Sequence, residues 1–266
     1  MSSVTANAQT RPARGATPRK RRSPGWVPNQ HGAWAMLATP LVAGAIAGVV
    51  DGTGLDLRRA AALLALTAFW FVGYFAFFAT GLWLKARRKP RYWPPVRAYA
   101  IAAAALGALT LALAPHLIVW APLFVIPMGV GLYASAARDE RSLWSGLTTT
   151  IGSCLMTLVA YDAAGGTDWI RAWTIAGVLA LYFAGTVLYV KTMIRERDNP
   201  RALAASIAWH AVAAALMIAV SWPLVVIFAL LTARAAIVPR YALTPKQVGI
   251  GEIVSTVAVG IAALLI

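Results

Sequence analysis

The sequence predicts an all-α membrane protein: a polytopic bundle of about nine transmembrane helices behind a disordered basic N-terminal tail. Composition is the first reason, with 60% of the 266 residues hydrophobic and 12% charged, against roughly 45–50% and about 25% in soluble domains. The second is a succession of apolar runs, each near the ~20 residues that cross a hydrocarbon core about 30 Å thick. The third is the placement of the cations, which gather between alternate runs.

Residues 1–25 carry Arg11, Arg14, Arg19, Lys20, Arg21 and Arg22 among Pro, Ser, Thr and Ala. With no periodic apolar residues this segment cannot bury enough surface to fold, so it reads as a disordered cytoplasmic tail. Residues 26–266 read as a single transmembrane domain, with spans at roughly 33–50, 60–84, 98–114, 117–135, 143–161, 172–191, 202–219, 222–237 and 248–266. The stretches 98–135 and 202–237 could each be one long kinked segment. Ala114-Pro115-His116 and Ser221-Trp222-Pro223 divide them, because proline lacks the amide proton a helix interior requires.

The charges test this count independently. With the N-terminus in the cytoplasm, all but Arg58, Arg59 and Arg171 of the 24 Lys and Arg residues fall on the inner side. The intervening loops hold Asp51, Asp56, Asp162 and Asp168. A miscounted span would scramble that alternation, so the expectation is nine crossings of a bacterial inner membrane with the C-terminus outside. The net charge of +15 is then accounted for by topology and by anionic lipid headgroups, leaving no call for nucleic acid as a partner. The bilayer itself is the one partner composition demands.

Helix packing is readable in part. Gly44 with Gly48, Gly73 with Gly81, and Ala176 with Ala180 and Ala184 repeat at multiples of four residues, the spacing that lets helices approach closely in lipid. Trp26, Trp34, Tyr92, Trp93, Trp144, Trp169, Trp173 and Trp222 stand near span ends, as interfacial aromatics do. Cys154 is the only cysteine, which excludes an internal disulfide and a cysteine-based metal cluster.

Few residues can carry chemistry. Asn29 suits a helix N-cap, and His31 and Trp34 follow it at the entry of the first span, where an imidazole can donate a hydrogen bond or move a proton. Lys85 and Arg88 lie in one basic loop, and Lys191, Arg195 and Asp198 in another, the latter three spaced to share a helical face. Two such helix ends can hold a phosphate or diphosphate through charge-assisted bonds; topology signalling alone also explains them. His210 and Glu252 are ionisable groups within spans, where an unpaired charge is costly, so each is a functional candidate or half of a structural pair. The sequence holds no phosphate-binding glycine loop, no HExxH zinc motif and no GxSxG nucleophile turn. Neither a metal nor another cofactor is expected.

The stretch from Pro28 to Pro40, with its Gln30-His31-Gly32-Ala33-Trp34 core, resembles the opening of the YwiC-like family of bacterial membrane proteins, and the likeness runs through the basic loops to Trp209-His210. It implies a multi-pass membrane protein and no particular activity. More distantly, the layout is similar to the UbiA-type intramembrane prenyltransferases, whose nine helices surround a lipid-facing cavity and whose two carboxylate motifs bind a prenyl diphosphate through magnesium. The loops after spans two and six occupy the corresponding places, and the run from Tyr133-Ala134-Ser135 through Arg138 and Arg141 to Gly146 and Gly152 resembles that family's fourth-to-fifth helix connection. The pattern departs at its chemistry: from Thr80 to Lys89 there is no Asp or Glu, and Glu196 and Asp198 are surrounded by Lys191, Arg195 and Arg197. Magnesium held by carboxylates is hard to reconcile with this, whereas direct contact between cations and an anionic head is not.

Three functions remain open from these residues. They are a bundle that handles an isoprenoid, quinone-type or other anionic-headed lipid, a transporter using His210 and Glu252, and an accessory subunit of a membrane complex. Catalysis is not decided by any residue pattern.

Overall fold

The protein is described from a computed structural model, which covers residues 25–28, 31–241 and 243–266. Residues 1–24 of the tail expected to be disordered and the candidate Asn29 lie outside the described residues, as does the side chain of His31. Among the described residues all regular structure is helical.

Ten α-helices follow in order: α1 (His31–Asp51), α2 (Leu57–Lys85), α3 (Trp93–Leu113), α4 (Ala121–Ala136), α5 (Leu143–Cys154), α6 (Met156–Ala164), α7 (Trp169–Ile194), α8 (Pro200–Met217), α9 (Trp222–Ile237) and α10 (Pro245–Leu264). With α5 and α6 joined end to end, nine segments among the described residues are long and apolar enough to cross a bilayer. They coincide with the nine expected spans. The two doubtful regions are each two spans: α3 stops at Leu113 and a 3₁₀ turn over Pro115–Trp120 leads into α4, while α8 stops at Met217 and α9 starts at Trp222 with proline in its first turn.

Local chemistry sets these boundaries. Asp56 and Asp168 accept the amides of Arg59 and Arg171 at 2.8 and 3.0 Å, and Asn199 accepts those of Arg201 and Ala202, so orphan donors at three helix starts are satisfied. Thr244 and Gln247 form a reciprocal capping box at the start of α10. Gly165, at φ +83°, ends α6 in a left-handed conformation that glycine adopts without steric cost. The fifth span is longer than expected and is interrupted at Leu155.

The helix α1 runs through the middle of the bundle, against α6, α7 and α10. A Cβ on Gly44 would stand 2.0 Å from the Thr157 carbonyl oxygen, and one on Gly48 2.5 Å from that of Tyr161, so this glycine pair does bring two backbones together. Gly81 meets Ser135 of α4, whereas Gly73 faces open space. On one side α2 packs on α3 and α4; on the other α8 packs on α9, and α7 and α10 close the group. Tyr161, Ile175, Leu179, Phe183, Met217 and Phe228 fill the larger core. Leu64, Ile101, Ile126, Val212 and Val254 are exposed, as lipid-facing side chains of a membrane bundle are.

The connections alternate between two ends of the bundle. One end, termed the basic face, gathers the α1 start with residues 86–92, 137–142, 195–199, 238–241 and 243–244. The other gathers 52–56, 165–168, 218–221 and the end of α10.

Candidate functional site

Three connections meet at the basic face. Lys85, in the last turn of α2, donates to Glu140 of the α4–α5 connection. The next residue's carbonyl, that of Arg141, accepts from Lys191 near the end of α7 at 3.4 Å. The 137–142 connection therefore bridges the two basic loops that sequence spacing singled out. Partial burial pushes the Glu140 carboxyl up, but the hydrogen bond from Lys85, a backbone bond and the charges of Lys85 and Arg141 bring it below its ordinary value. Its Oε2 atom is buried with no hydrogen-bond partner among the described residues.

Around this bridge stand cations on unusual backbone. Arg87 and Arg88 both sit at φ +56° and Arg138 at φ +61°, in the left-handed region, where a side chain bearing Cβ is strained. Two of these, Arg87 and Arg138, directly follow Ala86 and Ala137, the C-cap residues of α2 and α4. Arg88 lies over the Trp83 ring at 5.8 Å, and Trp83 packs on Trp93. Arg195 and Asp198 are exposed. Arg195 is the C-cap of α7, its amide bonded to the Lys191 carbonyl at 2.9 Å, whereas Asp198 lies past the helix end at Ile194, in the turn before Asn199 caps α8. Trp34 points instead into an aromatic group with Phe71, Tyr74 and Phe75 of α2, at centroid distances of 6.0, 6.2 and 5.9 Å.

The two intramembrane candidates part company. His210 is buried in the α7–α8 seam, its Nδ1 2.7 Å from the Ser206 carbonyl oxygen and its ring against Gly185. No hydrogen bond joins it to Glu252 among the described residues. Glu252 accepts from Arg234 Nη1 at 2.6 Å and from Thr186 at 2.9 Å, with the Tyr182 hydroxyl 3.4 Å away. Arg234 also reaches Ser255 at 3.0 Å and lies over the Tyr189 ring at 4.2 Å. Arg234, one of the inner-side cations, lies within α9 as the span 222–237 predicts, and Glu252 is half of an interhelical ion pair with it. Arg234 within an otherwise apolar run, with Glu252 as the lone acid of the last span, was the sequence signal for that pair.

A second polar group ties the opposite end. Asp51 pairs with Arg171 and accepts from Tyr161 at 2.9 Å, and Arg171 donates to the Leu264 and Ile266 carbonyls at 2.7 and 3.0 Å. Nearby is a cavity of ≈ 470 Å³ lined by Arg58, Arg59, His116 and Asp162 together with Leu113 and Ala62. Its cations are engaged: Arg58 donates to the Leu113 carbonyl and Arg59 to Thr53 and Gly54. Neither group was singled out by sequence, because both form between residues distant along the chain.

Residues 27–161 match the family described as YwiC-like protein. A Haemophilus influenzae protein described as uncharacterised is 34% identical over 131 residues, which is 48% of this chain and 55% of that protein. The match thus spans about half of that relative's length. A Bacillus subtilis protein, described as uncharacterised protein YwiC, is 28% identical over 174 residues, 65% of this chain and 69% of the relative. No solved structure matches.

Proposed function

The chain belongs to the YwiC-like family, and on that premise we propose that it binds an anionic-headed lipid, of isoprenoid, quinone or phospholipid type, at its basic face. In this reading the basic face lies in the cytoplasm of a bacterium, with the N-terminus inside and the C-terminus outside, as the charge ledger requires. The observation that carries it is the bridge from Lys85 through Glu140 and Arg141 to Lys191, which draws two basic helix ends together at the bilayer surface. Arg88 and Arg195 flank that bridge as headgroup contacts; His31 and Asn29 remain candidates from the sequence alone. The UbiA-type layout read from the sequence implies a headgroup at the same end, with cations in place of carboxylate-bound magnesium. The test is mass spectrometry of lipid retained by the protein purified in mild detergent. Retention of an acidic lipid, cut at least roughly tenfold in a Lys85→Ala, Arg195→Ala double variant, is the expected result. Absence of any retained lipid, or retention unchanged in that variant, would overturn it.

A second reading, a proton-coupled carrier, draws on the Arg234–Glu252 pair, since ionisable groups inside a bundle commonly line ion paths. Proteoliposomes in which a pH gradient decays no faster than in empty vesicles would exclude it.

A further inference from the structure

The guanidinium of Arg234 is only half used. Its Nη1 serves Glu252 and Ser255, and its centre lies over Tyr189. Its Nε and Nη2 atoms are buried and have no acceptor among the described residues. Those two N–H groups form the parallel edge by which arginine grips an acceptor in two bonds. Leaving buried donors unmade costs on the order of 1–3 kcal/mol each, which makes an idle fork an improbable resting arrangement in an apolar bundle.

The setting specifies the acceptor. Arg234 precedes the end of α9 by three residues and Glu252 follows the start of α10 by seven, placing the pair about 4.5 and 10 Å below the basic-face ends of their helices at 1.5 Å per residue. The pair therefore lies within the two spans and not in the connection between them. Arg234 and Glu252 are already a neutral pair, and their other neighbours Tyr182, Thr186, Ser255 and Thr256 are uncharged. Adding an anion would bury net negative charge, so a neutral oxygen with two lone pairs fits and a carboxylate or phosphate does not.

We propose that the Nε–Nη2 edge of Arg234 is a binding site for the carbonyl oxygen of a neutral lipid group, such as an acyl ester or a quinone. The site lies inside α9 and is separate from the headgroup contacts of Lys85 and Arg195, so either can fail without the other. The fork is closed to solvent in this conformation, and the carbonyl enters from the bilayer as α9 and α10 part. These two helices meet less extensively than α9 and α8 do.

The test uses the full chain in detergent with three probes: a diester phospholipid, the diether phospholipid with the same headgroup, and a short-chain benzoquinone. Native mass spectrometry reads the bound fraction. The wild-type protein is expected to hold the diester lipid or the quinone about tenfold more strongly than the carbonyl-free diether lipid. Arg234→Lys, which keeps the charge but lacks the fork, is expected to abolish that preference. Preference for the diester assigns a membrane lipid, and binding of the quinone alone assigns a redox lipid; both support the site. Equal retention of diester and diether with no bound quinone overturns it on the wild-type protein alone, whatever the stability of the variant. A preference that survives Arg234→Lys also overturns it.

Discussion

Removing one member of the Arg234–Glu252 pair leaves the other charge buried without compensation, at side-chain exposures of 17% and 14% in the intact protein. Arg234→Met is therefore expected to destabilise the protein by about 3–5 kcal/mol, and Arg234→Met with Glu252→Met by considerably less, because apolar groups of similar volume replace both charges. Unfolding in mixed micelles measures both; a double variant as unstable as the sum of the singles would contradict the pairing. The Lys85–Glu140 tie has a different signature. A carboxyl held below its ordinary value contributes stability that is present at neutral pH and is lost as the pH falls through the glutamate range. The difference in thermal stability between the native chain and Glu140→Gln should accordingly shrink on acidification and stay constant from neutral upward. A difference that grows on acidification would exclude the tie as described.

Span positions were legible because each depends on local facts: a run of apolar residues, a proline that stops a helix, a capping Asp, Asn or Thr. The division at Ala114-Pro115-His116 is of this kind, and so is the start of α10 at Thr244. What was not legible depends on which helix meets which. Arg234 reads from the sequence only as an inner-side cation near the end of a span, and the approach of α10 supplies its buried partner Glu252. Glu140 drew no attention beside Arg138 and Arg141, although it is the carboxylate that anchors Lys85. Asp198 was assigned to the face of a helix that ends four residues earlier. Of the glycines, Gly44 and Gly48 mark a real contact and Gly73 does not, a distinction that spacing cannot make. Gly44→Val is expected to separate α1 from α6 and lower stability by about 1–3 kcal/mol or more, with Gly73→Val close to neutral. A thermal shift that ranks the two the other way would contradict the seam.

For the whole molecule, the proposed orientation rests on the segregation of cations to one end of the nine spans among the described residues, and labelling can check it. Cys154 is buried, so single cysteines introduced at Ser142 and the exposed Leu55 report on the two ends with little background. In intact cells a membrane-impermeant maleimide is expected to react at Leu55→Cys and not at Ser142→Cys; the reverse pattern would invert the assignment. The lipid-binding proposal requires the Lys85–Glu140–Arg141–Lys191 bridge to face the anionic inner leaflet. The most direct test is an electron cryo-microscopy reconstruction in nanodiscs containing acidic phospholipid. The account predicts headgroup density in contact with Lys85, Arg88 and Lys191. Headgroup density confined to the opposite-end cavity beside Arg58 and His116, or none at the basic face, would contradict it.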